Sequence, residues 1–165
     1  FSYIYVREGD KVRKKKVLPY YLKEDQQRWY LLAYDNNILK TFNIDCIRNL
    51  KILYEETFKR NMNIDANNLF KDSYGIWNQT DIPVENIELS YSVLDGSFLK
   101  SNPLHHSQEI ITDNEMEFRI RLRLRITNDF VMALLSRSSS LTVINPLHLR
   151  ERIRKVYEEA IKRHL

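Results

Sequence analysis

Only one cysteine, Cys46, occurs in the 165 residues, which excludes an internal disulfide and a cysteine metal cluster and fits a reducing cytoplasm. Glycine is nearly as scarce, at three residues, so an extended Gly-rich loop and a phosphate-cradling Gly motif are both missing. No apolar run approaches the roughly 18 residues of a membrane-spanning helix, and no signal peptide opens the chain. Catalytic and metal-binding signals are equally absent. His105 and His106 are sequence neighbours, which point to opposite faces of a strand, and no third histidine or cysteine stands near them to complete a metal site. No carboxylate–His–nucleophile spacing stands out, and Cys46 reads as a small buried residue. The expectation is a non-enzymatic protein without metal or cofactor.

What is present suits a packed soluble protein: 43% hydrophobic, 12% aromatic and 29% charged residues. The strand-forming start Phe1–Val6, without initiator methionine or polar lead-in, reads as the interior of a longer protein. Formal net charge is +4, and its distribution is uneven. Residues 1–54 carry eleven Lys and Arg against six Asp and Glu, residues 55–81 three against five, and residues 82–165 twelve against eleven. The basic excess therefore belongs to the N-terminal third.

Three regions follow from the pattern. Residues 1–54 read as five short strands, Phe1–Val6, Val17–Lys23, Arg28–Tyr34, Ile38–Ile44 and Cys46–Leu53, separated by turn residues. Five strands in so short a span predict a small, strongly bent sheet or barrel, which removes exposed edges by closure. Residues 55–81 read as a connector with a short helix, capped by Asp65 and stopped at Gly75. Residues 82–165 alternate as β-α-β-β-α-β with a terminal helix opened by Asn145 and Pro146. That order is the ferredoxin-like split βαβ plan, so the fold class is α+β.

Two basic features invite a polyanion. In Phe118–Ile126 the residues Arg119, Arg121, Arg123 and Arg125 share one face, about 7 Å apart along the strand. That is close to the spacing of phosphates on a nucleic-acid strand. The ordinary alternative is a solvated face with cross-strand ion pairs, although Glu88 on the neighbouring strand would offset only one of the four. The run Lys11–Lys16 is expected at a loop-to-strand junction, either as a solvated basic loop or as a nucleic-acid contact.

The stretch Gln27–Asp35, QRWYLLAYD, has two faces. Trp29, Leu31 and Ala33 alternate as core residues, and Arg28, Tyr30, Leu32 and Tyr34 form a second, partly cationic and aromatic set. At Trp29-Tyr30-Leu31 the chain resembles the WYL-domain family. Pro19-Tyr20-Tyr21-Leu22, Lys40-Thr41-Phe42 and Ile44-Asp45-Cys46-Ile47 match other parts of that pattern. Phe70–Trp77, Pro103–Ile110 and Val143–Ile153 resemble the extension that follows WYL domains in many bacterial regulators. The resemblance implies a cytoplasmic bacterial transcriptional regulator. Its parts would be an N-terminal winged helix-turn-helix that reads DNA, a Sm/SH3-like WYL barrel sensing a nucleotide or single-stranded nucleic acid, and a ferredoxin-like extension supporting a homodimer. By position it implies a ligand site of Arg28, Tyr30, Lys40 and Tyr20, with Cys46 standing where the family has arginine and Arg48 two residues on as its substitute. A cation beside an aromatic face suits a phosphate plus a stacked base. The other readings are a protein-interaction module docked through Arg119–Arg125, and an accessory nucleic-acid-binding domain of a DNA-processing or defence enzyme.

Overall fold

Six short strands occupy the start of the chain in the computed structural model, which describes the backbone of residues 1–165 and every side chain but those of Arg7 and Ala66. They are β1 (Ser2–Tyr5), β2 (Lys11–Lys14), β3 (Leu18–Asp25), β4 (Arg28–Asp35), β5 (Ile38–Asn43) and β6 (Ile47–Arg48). Turn chemistry sets their ends. The β3–β4 hairpin reverses at Gln26 and Gln27 and the β4–β5 hairpin at Asn36 and Asn37, all four with positive φ. Paired left-handed residues give the primed turns whose twist matches a hairpin, and asparagine tolerates that conformation well. Between β1 and β2 the left-handed positions fall to Gly9 and Asp10.

The expected barrel is not present among the described residues. The six strands form two three-stranded sheets, ordered β2-β1-β6 and β3-β4-β5. The fifth expected strand, over Cys46–Leu53, shrinks to the two residues of β6. A 3-10 turn over Ile44–Cys46 precedes it, held by the Asn43 side chain, which accepts a hydrogen bond from the Asp45 amide at 2.9 Å. The basic run, expected at a loop junction, instead supplies an extra edge strand, β2.

By its contacts the chain divides into two units, Phe1–Asn68 and Leu69–Leu165. A one-turn helix, α1 (Ala66–Phe70), spans the division. Asp65 caps it as expected, accepting from the Asn67 amide at 2.9 Å, but it ends well before Gly75.

In the second unit the elements are β7 (Val84–Tyr91), α2 (Val93–Ser101), β8 (Glu109–Asp113), β9 (Phe118–Arg125), α3 (Asn128–Leu135), β10 (Thr142–Asn145) and α4 (Leu147–Lys162). This is the β-α-β-β-α-β-α order read from the sequence. The sheet is ordered β10-β7-β9-β8 with every neighbouring pair antiparallel. The alternation of β9 is the clearest local cause: Phe118, Ile120, Leu122 and Leu124 are all buried. They join Ile87 and Leu89 of β7, Phe130 and Leu134 of α3, and Leu149 and Ile153 of α4 in one core cluster. Helix α2 comes close to the sheet because Gly96 has no side chain; a Cβ there would lie 2.4 Å from Cβ of Phe118. Along α4, Leu149 and Ile153 are buried but Val156 and Ile161 are exposed. Among the described residues no helix is long and apolar enough to cross a membrane.

Candidate anion-binding site of the first unit

Strand β4 places the resembling residues, and its faces follow from register. Cross-strand partners share a face, and successive residues alternate. Leu31 pairs with Leu22 on one side and Phe42 on the other, while Tyr30 pairs with Lys23 and Asn43. The expected division of β4 into a buried odd set and an outward even set fails at two positions. Trp29 is 50% exposed, whereas Leu32, from the even set, is buried along with Ala33. The first residues of β4 adjoin the Gln26–Gln27 turn and project past the core, while the middle of the strand is covered on both sides.

The expected site residues are not gathered in one place. Arg28 is exposed and Tyr30 half-buried at the start of β4. Burial pushes the Tyr30 hydroxyl up from its usual range, and the charge of Asp25 adds to this. Lys40 pairs with Ala33, three positions along the strand and on the opposite face from Tyr30. Its ammonium is 2.8 Å from the carboxylate of Asp35, which also receives Lys15 at 2.8 Å. Asp35 is buried, and the hydrogen bond from Lys15, followed by that from Lys40, holds its carboxyl below the usual carboxylate range.

Tyr20 has a structural partner of its own. Its hydroxyl accepts the Asn61 amide at 3.1 Å, and its ring packs edge-on against Tyr34 and beside Phe58. The Arg60 guanidinium lies 4.3 Å from the centre of the Tyr21 ring, and the Tyr21 hydroxyl donates to the Ile64 carbonyl. This aromatic group fastens residues 58–64 to β3.

Arg48 stands in a more suggestive place. Strand parity does not link it to Cys46, because Cys46 sits in the 3-10 turn. Instead Ser2 of β1 pairs with Lys14 of β2 on one side and with Arg48 of β6 on the other. Lys14, Ser2 and Arg48 therefore form one row across a sheet face, with the two cations about 10 Å apart at the usual strand spacing. Arg48 is exposed, and its guanidinium donates to the Asp45 and Ile47 carbonyls at 2.7 and 2.9 Å. Those bonds fix its direction without neutralising its charge. Lys14 is exposed too and has no carboxylate partner among the described residues.

Beside this row opens a cleft of about 640 Å³, lined in part by Ser2, Lys14, Lys16, Leu31 and Lys51. Sequence reasoning weighed Lys11–Lys16 only as a charge run and missed the cleft. Its one signal was the set of apolar residues after β6, at Leu50, Ile52, Leu53 and Phe58, which the lining includes.

The arginine face of β9 turns out compensated. Arg119 binds Glu117 at 2.9 Å and Glu88 at 3.4 Å, Arg121 lies 4.0 Å from Glu109, and Asp72 lies 3.6 Å from Arg123 and 3.9 Å from Arg125. Glu109 comes from β8 and Asp72 from a connecting segment, neither of which strand β7 alone revealed. The under-compensated face expected from the sequence is a ladder of ion pairs. His105 and His106 contact each other with ring centres 4.1 Å apart. His105 bonds Ser107 Oγ through Nδ1 at 2.7 Å, and His106 bonds the Lys71 carbonyl through Nε2 at 2.6 Å. Among the described residues no three His, Cys, Asp or Glu side chains converge as metal ligands would.

Comparison with known proteins bears on the first unit most directly. Residues 1–52 match the family described as the WYL domain. Among solved structures, proteasome accessory factor B/C (PafBC) of Arthrobacter aurescens aligns with 93% of this chain at 18% identity and a TM-score of 0.38. The chain spans 23% of the length of that protein. No curated protein matches. The likeness to the WYL domain thus lies in the N-terminal third of the chain.

Proposed function

We propose that this chain is the effector-sensing and assembly portion of a bacterial transcriptional regulator. Its WYL domain takes a nucleotide or short single strand of nucleic acid, while a winged helix-turn-helix elsewhere in the protein reads DNA. The observation that carries this is the cation row Lys14–Ser2–Arg48, exposed on a sheet of the WYL domain. Two positive charges on a β surface suit phosphates of one strand, and β-sheet platforms are a common support for single strands. Arg28 and Tyr30, exposed and half-exposed on the other sheet, extend the surface available to a longer strand. The second unit acts as a ferredoxin-like extension supporting a homodimer, a reading that rests on its element order and its β10-β7-β9-β8 sheet. The role requires no catalysis and places the protein in the cytoplasm.

Titration of the chain with fluorescent oligothymidylate and with mononucleotides at low ionic strength tests the proposal. Binding should weaken with salt, by about 0.7 in the logarithm of affinity per decade of salt for each phosphate neutralised. Charge reversal at Arg48 (Arg48→Glu) should weaken it at least tenfold, and Tyr30→Ala by less. A folded sample that binds neither ligand at low salt refutes the nucleic-acid reading.

A further inference from the structure

The cleft beside the cation row differs chemically from the row itself. Its size falls within the range of about 300–1,000 Å³ typical of small-molecule sites. Leu18 and Leu31 wall it from the second sheet, and Ile52, Leu53 and Phe58 from the segment after β6. Of these, Ile52 is 66% and Leu53 48% exposed, so large apolar side chains face a space that nothing in the unit fills. Exposed apolar surface concentrated in a concavity marks a binding site more often than scattered surface residues do.

Four of the seven polar lining residues are lysines. Lys16 is held by Glu56 at 2.5 Å and Lys15 by the buried Asp35 at 2.8 Å. Lys14 and Lys51 line the cleft, are exposed, and have no carboxylate partner among the described residues. Neutral polar side chains are limited to Ser2 and Asn49. A nucleobase brings several edge donors and acceptors, and burying it here would leave most of them unpaired. An aliphatic chain leaves none.

We propose that this cleft binds a medium-chain aliphatic carboxylate. Its alkyl chain lies along Leu18, Leu31, Ile52, Leu53 and Phe58, and its carboxylate meets the ammonium groups of Lys14 and Lys51. The site shares Lys14 with the cation row but not Arg48, and the proposal does not rest on the nucleic-acid reading.

Calorimetric titration of the whole chain with hexanoate, octanoate and decanoate, below their micellar concentrations, tests it. Affinity should tighten about fourfold with each added methylene as the chain is buried. Octanol, which lacks the charge, should bind at least tenfold more weakly than octanoate. Ile52 and Lys51 are exposed and lie outside every strand and helix, so Ile52→Glu and Lys51→Glu should fold normally, as circular dichroism would check. Each should weaken decanoate at least tenfold, while Arg48→Glu leaves decanoate within about twofold. Affinity independent of chain length, or Ile52→Glu binding decanoate like the parent, overturns the proposal. Decanoate binding without oligonucleotide binding upholds the cleft and refutes the nucleic-acid reading; the converse does the opposite.

Discussion

Asp35 is the most constrained single group of the first unit. Its carboxylate, with a side chain 4% exposed, receives Lys15 from the chain just beyond β2 and Lys40 from β5, each at 2.8 Å. Lys15, 15% exposed, contributes more than Lys40, 40% exposed, because a shielded charge-assisted hydrogen bond is worth more than a solvated one. Asp35→Asn should therefore destabilise the unit by about 2–3 kcal/mol in urea unfolding. The pH dependence follows from the direction of the shifts. The folded carboxyl binds its proton more weakly than the unfolded one, which titrates near about 3.9, and the Lys15 hydrogen bond is the largest cause. Stability from this group is complete above the unfolded value and is lost as pH falls below it through the folded value. The folded Lys15 ammonium is shifted up, chiefly by its hydrogen bond to Asp35. Its contribution is complete below about pH 10.4 and is lost as pH rises through the folded value. Acid titration of wild type and Asp35→Asn should thus diverge above pH 4 and converge below it. None of this was legible in the sequence: Lys40 read as a ligand residue and Lys15 as one of five cations in a basic run, since side-chain pairing leaves no periodic trace.

Among the elements, β9 read correctly and β2 did not, for related reasons. Strict alternation betrays a strand with one buried face, and β9 has one. Strand β2 is an edge strand whose four residues are all exposed, so burial imposes no alternation on it. Its lysines, which look like loop composition, are a common way of protecting a free edge. The charges of β9 were legible but their partners were not. Asp72 lies within 4 Å of both Arg123 and Arg125. Asp72→Ala should cost about 1–2 kcal/mol and convert the neutralised ladder into a basic face, detectable as stronger retention on a cation-exchange column than one added charge explains. Helix α2 supplies a test of packing. In an open helix Gly→Ala gains about 1 kcal/mol, but at Gly96 the new methyl would meet Phe118 at 2.4 Å, and Phe118 is itself buried. Gly96→Ala should lower stability by about 1–3 kcal/mol in urea unfolding; a gain would show that α2 is free to move away from β9.

Across the whole molecule burial is divided unequally. The second unit's core cluster holds fifteen buried apolar side chains, from Ile87 to Ile153, while among the described residues of the first unit the buried apolar ones are Leu32, Ala33 and Phe42. Hydrogen exchange should reflect this, with the slowest amides in β7, β9 and α3 and faster exchange throughout β1–β6. Equal protection in both units would contradict it. The same contrast explains what the sequence yielded. A large core imposes its period on many residues, so the second unit's order of elements was legible. The first unit builds its fold from tight turns, ion pairs and edge-on aromatic contacts, and its cleft comes from residues far apart in sequence. The free edge of the first sheet carries one further consequence. Lys11 and Lys14 present like charges along β2, so two copies approaching edge to edge repel one another over roughly 10 Å at 0.1 M salt. Added salt should therefore act in opposite senses at one strand, loosening a bound polyanion while letting copies draw together, so light scattering should rise over the range of salt in which oligonucleotide affinity falls.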